Sequence, residues 1–85
     1  MQEFTIKLLL GKNSLEVPCY VFASAGRNVW EALIDIEHPS LDDIDPEVFR
    51  TLGDIWDTGP AIGETESGAV KTLKRELSEA FPQPV

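Results

Sequence analysis

The first part of the chain alternates between apolar and polar positions, which is the pattern of a β-strand with one buried face. Residues 3–10 and residues 15–23 both follow it. Their apolar positions on one face are Phe4, Ile6, Leu8, Leu10, Leu15, Val17, Cys19, Val21 and Ala23. The residues between the two segments, 11–14, are typical of turns. The sequence therefore predicts an antiparallel hairpin of strands at about 3–10 and 15–23.

A four-residue loop would pair each inward apolar residue with another apolar residue. The predicted pairs are Leu10 with Leu15, Leu8 with Val17, Ile6 with Cys19 and Phe4 with Val21. The other face of the hairpin then carries Leu9, Tyr20 and Phe22. We expect a helix or the C-terminal tail to cover part of that face, because large apolar side chains are usually buried. The alternative is that Tyr20 and Phe22 serve self-association or partner binding.

The rest of the chain has apolar residues at helical spacing, which predicts three helices at about 26–37, 46–57 and 66–80. The first would start from Ser24 or Asn28 and stop before Pro39, because proline disfavours helical geometry in the residue before it. Asp45 followed by Pro46 is a strong start for the second. Thr65 or Ser67 would cap the third. Residues 61–62 could add a very short strand, but the pattern is too brief to predict one.

These elements give an α+β fold of order ββααα, with the three helices packed on one face of the hairpin. At 85 residues the chain is long enough for one small domain, spanning 1–85, and for one hydrophobic core. Two prolines follow the last helix, so residues 82–85 are expected to form a frayed tail.

Negative charge is concentrated in the middle of the chain. The segment from Glu31 to Asp57, the acidic block, holds nine acidic residues and one basic residue, Arg50. The net charge of this block, −8, equals the net charge of the whole chain, because the other residues hold six acids and six bases. Such acidity argues against direct binding to nucleic acid or to an anionic membrane, since both require basic patches. It favours a partner protein with a basic surface.

The sequence has no signal peptide, no apolar stretch long enough to cross a membrane, and a single cysteine that cannot form an internal disulfide. A cytoplasmic protein is the default expectation. No cofactor is expected either. The glycines near Pro60 lack the lysine that a phosphate-binding loop requires, so no nucleotide motif is present.

Metal and catalytic chemistry have weak candidates. Acids at 43, 45, 47 and 54 fit four positions of a calcium-binding EF-hand loop, but Val48 occupies the position at which that loop needs glycine. Cys19 and His38 are single residues of their types, and Cys19 falls on the core face of the hairpin. A chain this small also rarely encloses a large pocket. We therefore expect no metal site and no catalytic residues, and the prediction is that the protein is not an enzyme.

The acidic block has two interpretations. The simpler one is a solvated surface that keeps the protein soluble. The other is a negative face that competes for the nucleic-acid site of a larger protein, because acids on two adjacent helices can approach the charge density of duplex DNA, about one charge per 1.7 Å. The candidate partner-binding residues, which have no evident helix-starting role, are Asp35, Glu37, Asp42, Asp43, Asp54 and Asp57.

In size, acidity and lack of a catalytic set, the chain is similar to many phage-encoded inhibitors of host defence, including anti-CRISPR and anti-restriction proteins. That similarity is one of type and rests on no motif. The leading hypothesis is a non-enzymatic protein-binding module of this type, an inhibitor from a phage or mobile element that blocks a basic nucleic-acid-binding surface of a host protein. A structural subunit that forms a homodimer through the hairpin edge is the second hypothesis. A small enzyme of unknown type is the third.

Overall fold

The computed structural model describes residues 1–81 and shows a four-stranded antiparallel sheet with two α-helices, in the order β-β-β-α-β-α. The strands are β1 (Gln2–Leu10), β2 (Asn13–Ala23), β3 (Trp30–Ile34) and β4 (Ala61–Gly63). The helices are α1 (Pro46–Asp57) and α2 (Glu66–Ala80), and a 3₁₀ helix spans Pro39–Leu41. The strands lie in chain order across the sheet. The predicted frayed tail, 82–85, lies outside the described residues.

The hairpin exists, but the predicted register is wrong by two residues. Leu8 pairs with Leu15, and the loop contains only Gly11 and Lys12. Gly11 has a φ of 66°, as in a type II′ turn with glycine first. A shift of two residues keeps every side chain on its predicted face. The observed register also adds the pairs Leu9–Ser14 and Leu10–Asn13 to the ladder of hydrogen bonds. This gain explains why a two-residue loop is favoured over the predicted four-residue loop.

The predicted helix at 26–37 is wrong, because the chain there turns and forms β3, which pairs with β2. Ser24 does not cap a helix. Its N–H donates to the carbonyl oxygen of Val29, 2.9 Å away, and closes the connection between the strands. Ala32 and Ile34 are fully buried on the core face, and the alternate residues of the strand point to the other side. The apolar residues of this segment fit the spacing of a helix, but its residues also alternate between two faces, as in a strand. Pairing with β2 favours the strand.

The other two helices are confirmed within their predicted bounds. Asp45 accepts a hydrogen bond from the N–H of Glu47 at 2.8 Å, and Pro46 is the first helical residue of α1. Thr65 caps α2 by accepting from the N–H of Gly68 at 3.0 Å. Both α-helices therefore follow their capping residues. Proline at position 39 starts the 3₁₀ helix instead of ending an α-helix.

The core lies between one face of the sheet and the two helices. Its buried residues from the strands are Ile6, Leu8, Val17, Cys19, Val21, Ala32, Ile34 and Ala61, and those from the helical segments are Leu41, Leu52, Ala69, Leu73 and Leu77. Helix α2 contacts all four strands, while α1 contacts α2 and β3. The short strand β4 brings Gly63 against the backbone of Gly68 and Ala69 in α2. This contact fixes the start of α2 at the edge of the sheet.

Candidate protein-binding surface

The sheet has a second face that neither helix covers, and we call it the open sheet face. Both helices pack on the core face, so the expectation that a helix covers Tyr20 and Phe22 is wrong. The other expected cover, the C-terminal tail, lies outside the described residues. Tyr20 and Phe22 are half-buried and stack on each other, with ring centroids 5.9 Å apart and an angle of 29° between the ring planes. Leu33 lies opposite Tyr20 in the register, and Ile62, which is 42% exposed, lies across β3 from Phe22. Tyr20, Phe22 and Leu33 form an apolar patch in the centre of the face, and Ile62 on β4 is separated from Phe22 by residue 31 of β3.

Glutamates stand directly beside this apolar patch. Glu31 is the register partner of both Phe22 and Ile62. Glu3, on the other side of β2, is the register partner of Tyr20. Residues that are directly opposite on one face of a sheet have neighbouring side chains. Each of the two aromatic residues therefore has a glutamate as its cross-strand neighbour.

A third acid extends the same border. Asp35 continues the line of β3, because its N–H donates to the carbonyl oxygen of Pro18 at 2.8 Å. Asp35 is one residue beyond the end of β3, and continuing the alternation of that strand would place it on the same face as Glu31. Together with Glu3, these residues give the apolar patch a border of three acids.

Basic residues are scarce on the open sheet face. Lys7 is the one base that the alternation of the four described strands places there, and its register partner is Glu16. It stands four residues along β1 from Glu3, away from the aromatic pair. The acids of the open sheet face are Glu3, Glu16, Glu31 and Asp35. With Lys7 as the one base, the formal charge of this face is −3. The centre of the face is thus apolar and its border is negative.

The structure separates the other predicted partner-binding residues from this face. Glu37 is exposed in the turn after β3. Asp42 and Asp43 are exposed between the 3₁₀ helix and α1. Asp54 and Asp57 are exposed on α1. Of the six acids predicted from the sequence, Asp35 is the one at the end of β3, two residues after Leu33, which is the register partner of Tyr20.

The outward face of α1 carries acids at moderate density. Glu47, Arg50, Asp54 and Asp57 are spaced three or four residues apart and lie opposite the buried Leu52. Three acids over eleven residues of helix span about 15 Å, or about one acid per 5 Å, which is far sparser than the one charge per 1.7 Å of duplex DNA. A density like that of DNA would require a second acidic helix at 26–37, where the chain forms a strand instead. The acids of this protein are therefore not arranged at the charge density of a DNA duplex, as the hypothesis of two adjacent acidic helices required.

The two candidate catalytic residues have local structural roles. The Cys19 side chain is 2% exposed, and its thiol donates to the carbonyl oxygen of Val17 at 3.4 Å. Burial raises the pKa of Cys19 to about 12, so the thiol is protonated at neutral pH. His38 caps the 3₁₀ helix by accepting from the N–H of Ser40 at Nδ1, 3.0 Å away. Neither geometry activates a nucleophile.

Within residues 1–81 no group of three or more His, Cys, Asp or Glu side chains is placed to hold a metal ion. Surface grooves are present, although a chain of this length is not expected to have a sizeable pocket. One groove, of about 640 Å³, runs along the N-terminal half of α2 between Thr65 and Lys74. Another, of about 320 Å³, lies at the start of α1. No described helix is long and apolar enough to cross a membrane.

Sequence reasoning missed Glu3, Glu31, Leu33 and Ile62 as parts of one surface. The available signal was the alternation in residues 30–34, which places glutamate and leucine on one face and alanine and isoleucine on the other. Five residues are too few to separate this pattern from a helical stripe. Their position next to the aromatic pair depends on long-range strand pairing.

Comparisons of the chain with protein-family models, with curated proteins and with solved structures find no match. A function must therefore be inferred from the described surfaces.

Proposed function

We propose that the protein is a non-enzymatic binding module that docks its open sheet face on a basic surface of a larger protein. The observation that carries the proposal is the register between β2 and β3, which sets Glu31 opposite Phe22 and extends to Asp35 beside Pro18. The acidic and the aromatic candidates, separate in the sequence, thus contribute to one surface. Aromatic side chains supply contact area, and adjacent carboxylates select the charge of the partner.

Arginine is the side chain that fits this surface best. Its planar guanidinium can stack on Tyr20 or Phe22 and at the same time pair with a neighbouring carboxylate. A carboxylate that lies against an aromatic ring is partly shielded from water once a partner docks, so its ion pair becomes stronger than an exposed one. The open sheet face therefore favours a partner with arginines around an apolar contact.

The remaining acids have a supporting role in this proposal. The exposed acids that lie away from the aromatic pair include Asp42, Asp43, Asp54 and Asp57. Exposed charges of one sign attract an oppositely charged partner over a distance of about 10 Å at moderate salt, and they mainly increase the association rate. We expect these acids to steer the encounter, while Glu31 and Asp35 hold the bound partner.

A basic surface on a large protein is commonly a nucleic-acid-binding surface, so a module that occupies it acts as a competitive inhibitor. The small size, the acidity and the similarity in type to phage-encoded inhibitors support this role, with the host cytoplasm as the place of action. The proposal requires no imitation of the DNA helix, since the contact is a sheet face with aromatic side chains.

The test compares two double variants with equal charge changes. Glu31→Gln with Asp35→Asn alters the open sheet face, and Asp54→Asn with Asp57→Asn alters α1. A partner captured from an extract of the native host is identified, and its affinity for each variant is measured at several salt concentrations. We expect the first variant to weaken binding by on the order of tenfold, mainly through faster dissociation. The second should slow association and leave dissociation nearly unchanged. Equal dissociation rates for wild type and the first variant would refute the proposal.

Self-association is a second candidate, favoured by the position of β1. This strand is nine residues long and lies at the edge of the sheet, where a second copy could extend the ladder. Docking two open sheet faces on each other would instead bring negative charges together, which is unfavourable. Light scattering at high protein concentration tests whether a dimer forms, because a dimer has twice the monomer mass and a strict monomer excludes self-association. An edge-to-edge dimer would in addition leave Tyr20 and Phe22 accessible.

A further inference from the structure

The smaller groove lies where the 3₁₀ helix leads into α1. It is lined by Leu41, Asp42, Ile44, Pro46 and Phe49 and has a volume of about 320 Å³. Leu41 is buried at 2% exposure and belongs to the core, whereas Phe49 is 40% exposed. Ile44 is half-buried, and Asp42 and Pro46 are exposed. The groove therefore has apolar walls and a single charged group.

The carboxylate of Asp42 is available to a ligand. The backbone N–H of Asp42 donates to the carbonyl oxygen of Pro39 at 3.0 Å, but the side chain makes no hydrogen bond within residues 1–81. Asp45 differs, because its carboxylate accepts from the N–H of Glu47 and caps α1. The Asp42 carboxylate therefore stabilises no element of the described fold by hydrogen bonding.

We propose that this groove binds the side chain of one arginine in a peptide segment of a protein partner. The three methylenes of arginine would lie along Ile44 and Pro46, its guanidinium would face Phe49, and Asp42 would accept two parallel hydrogen bonds. This binding site goes beyond the proposed function. The groove and the open sheet face share no residue, and Asp42, one of the steering acids of the proposed function, has a second role here as the acceptor in the groove.

Size and charge select this occupant. Pockets for drug-sized ligands start at about 300 Å³, so this groove has room for one long side chain with part of its peptide, but not for a folded segment. An anionic ligand would be repelled by Asp42 and by the nearby Asp43. A purely apolar side chain would leave the Asp42 carboxylate partly desolvated without a partner. Lysine carries the same positive charge, but it lacks the planar guanidinium that stacks on an aromatic ring and donates two parallel hydrogen bonds to a carboxylate.

The test is an NMR titration of the full chain, labelled with ¹⁵N, by Nα-acetyl-arginine methylamide. The matched probe is the citrulline analogue, which keeps the length and shape of the side chain but is neutral. We expect saturable shifts confined to the amides of residues 41–49, with a dissociation constant of about 1 mM, and no saturable shift with citrulline. Asp42→Asn should weaken arginine binding about tenfold, because a hydrogen bond to a charged group is lost. Asp57→Asn, at the other end of α1, should leave it unchanged.

Nα-acetyl-lysine methylamide is titrated as a third probe. Three results would overturn the inference: equal binding of arginine and citrulline, equal binding of arginine and lysine, and full binding by a folded Asp42→Asn variant. Phe49→Leu keeps an apolar wall but removes the ring, so it should weaken arginine binding and leave the amide spectrum of the strands intact. Unchanged affinity in Phe49→Leu would remove the stacking contact from the proposal and with it the preference for arginine.

Discussion

Phe22 on β2 lies directly opposite Glu31 on β3, on the face of the sheet that neither helix covers. The two residues are separated by the turn between the strands, and only strand pairing makes the ring and the carboxylate neighbours. If residues 26–37 formed a helix, Glu31 would lie on the solvated surface of that helix. Because the segment is a strand, the acid becomes the border of an aromatic patch. The proposed function depends on this relationship.

Gly63→Ala should destabilise the protein severely. A Cβ at position 63 would overlap the backbone nitrogen of Ala69 and stand 2.9 Å from its Cα, so α2 would have to move away from β4. Backbone atoms cannot rotate aside, and we expect a loss of about 3 kcal/mol or more in the free energy of unfolding. Urea denaturation followed by circular dichroism measures this. A loss too small to resolve would mean that α2 does not approach β4 as closely as described.

Gly53→Ala should have the opposite effect. Gly53 lies inside α1, its φ is not positive, and a Cβ there would meet no atom within 4 Å. Alanine is favoured over glycine in a helix interior by about 1 kcal/mol, so the variant should be more stable by nearly that amount. The same urea titration provides the measurement, and Gly63→Ala is the matched control. A decrease in stability would show that α1 needs glycine at this position.

The free energy of unfolding should depend on pH in the alkaline range because of Cys19. Its pKa is about 12 in the native protein and 9.0 when unperturbed, because burial disfavours the thiolate. Between these two values the unfolded chain has lost a proton that the native chain keeps, so the free energy of unfolding falls as pH rises. Wild type should therefore lose more stability over this range than Cys19→Ala does. Urea titrations at several alkaline pH values measure the difference, and equal losses in the two proteins would count against the raised pKa.

Alkylation gives an independent measurement of the same thiol. Iodoacetamide should modify Cys19 slowly in the native protein and rapidly in urea, because the thiolate is the reactive form and is formed only on unfolding. Fast modification of the folded protein at neutral pH would contradict the buried, protonated state.

Phe22→Ser with Tyr20→Ser should affect binding more than folding. Both rings are half-buried on the open sheet face and contact each other, and neither belongs to the core. We expect the double variant to lose about 3 kcal/mol of stability, about 1 from the aromatic pair and about 1 from the partial burial of each ring, and to retain its fold. Partner affinity should fall by more than about tenfold, because aromatic anchors dominate most interfaces. Unchanged affinity in a folded variant would exclude this face as the contact.

Local signals in the sequence predicted the hairpin, α1 and α2, because each depends on nearby residues. Asp45 with Pro46, and Thr65 before Gly68, are capping arrangements that act within one turn. β3 could not be predicted in this way, since it is short and its pairing with β2 spans an irregular turn. β4 contains three residues and is stabilised by β3 and α2. The candidate surface was only partly predictable for the same reason, because it is assembled from all four strands.

The central claim is that the partner contacts the open sheet face. Site-specific photo-crosslinking tests it most directly, with benzoylphenylalanine in place of Phe22 on that face or of Trp56, which is 42% exposed on α1. In an extract of the native host, we predict a crosslink from position 22 to a basic protein, none from position 56, and loss of the crosslink when Glu31→Gln and Asp35→Asn are added. A crosslink from position 56 with none from position 22 would contradict the account.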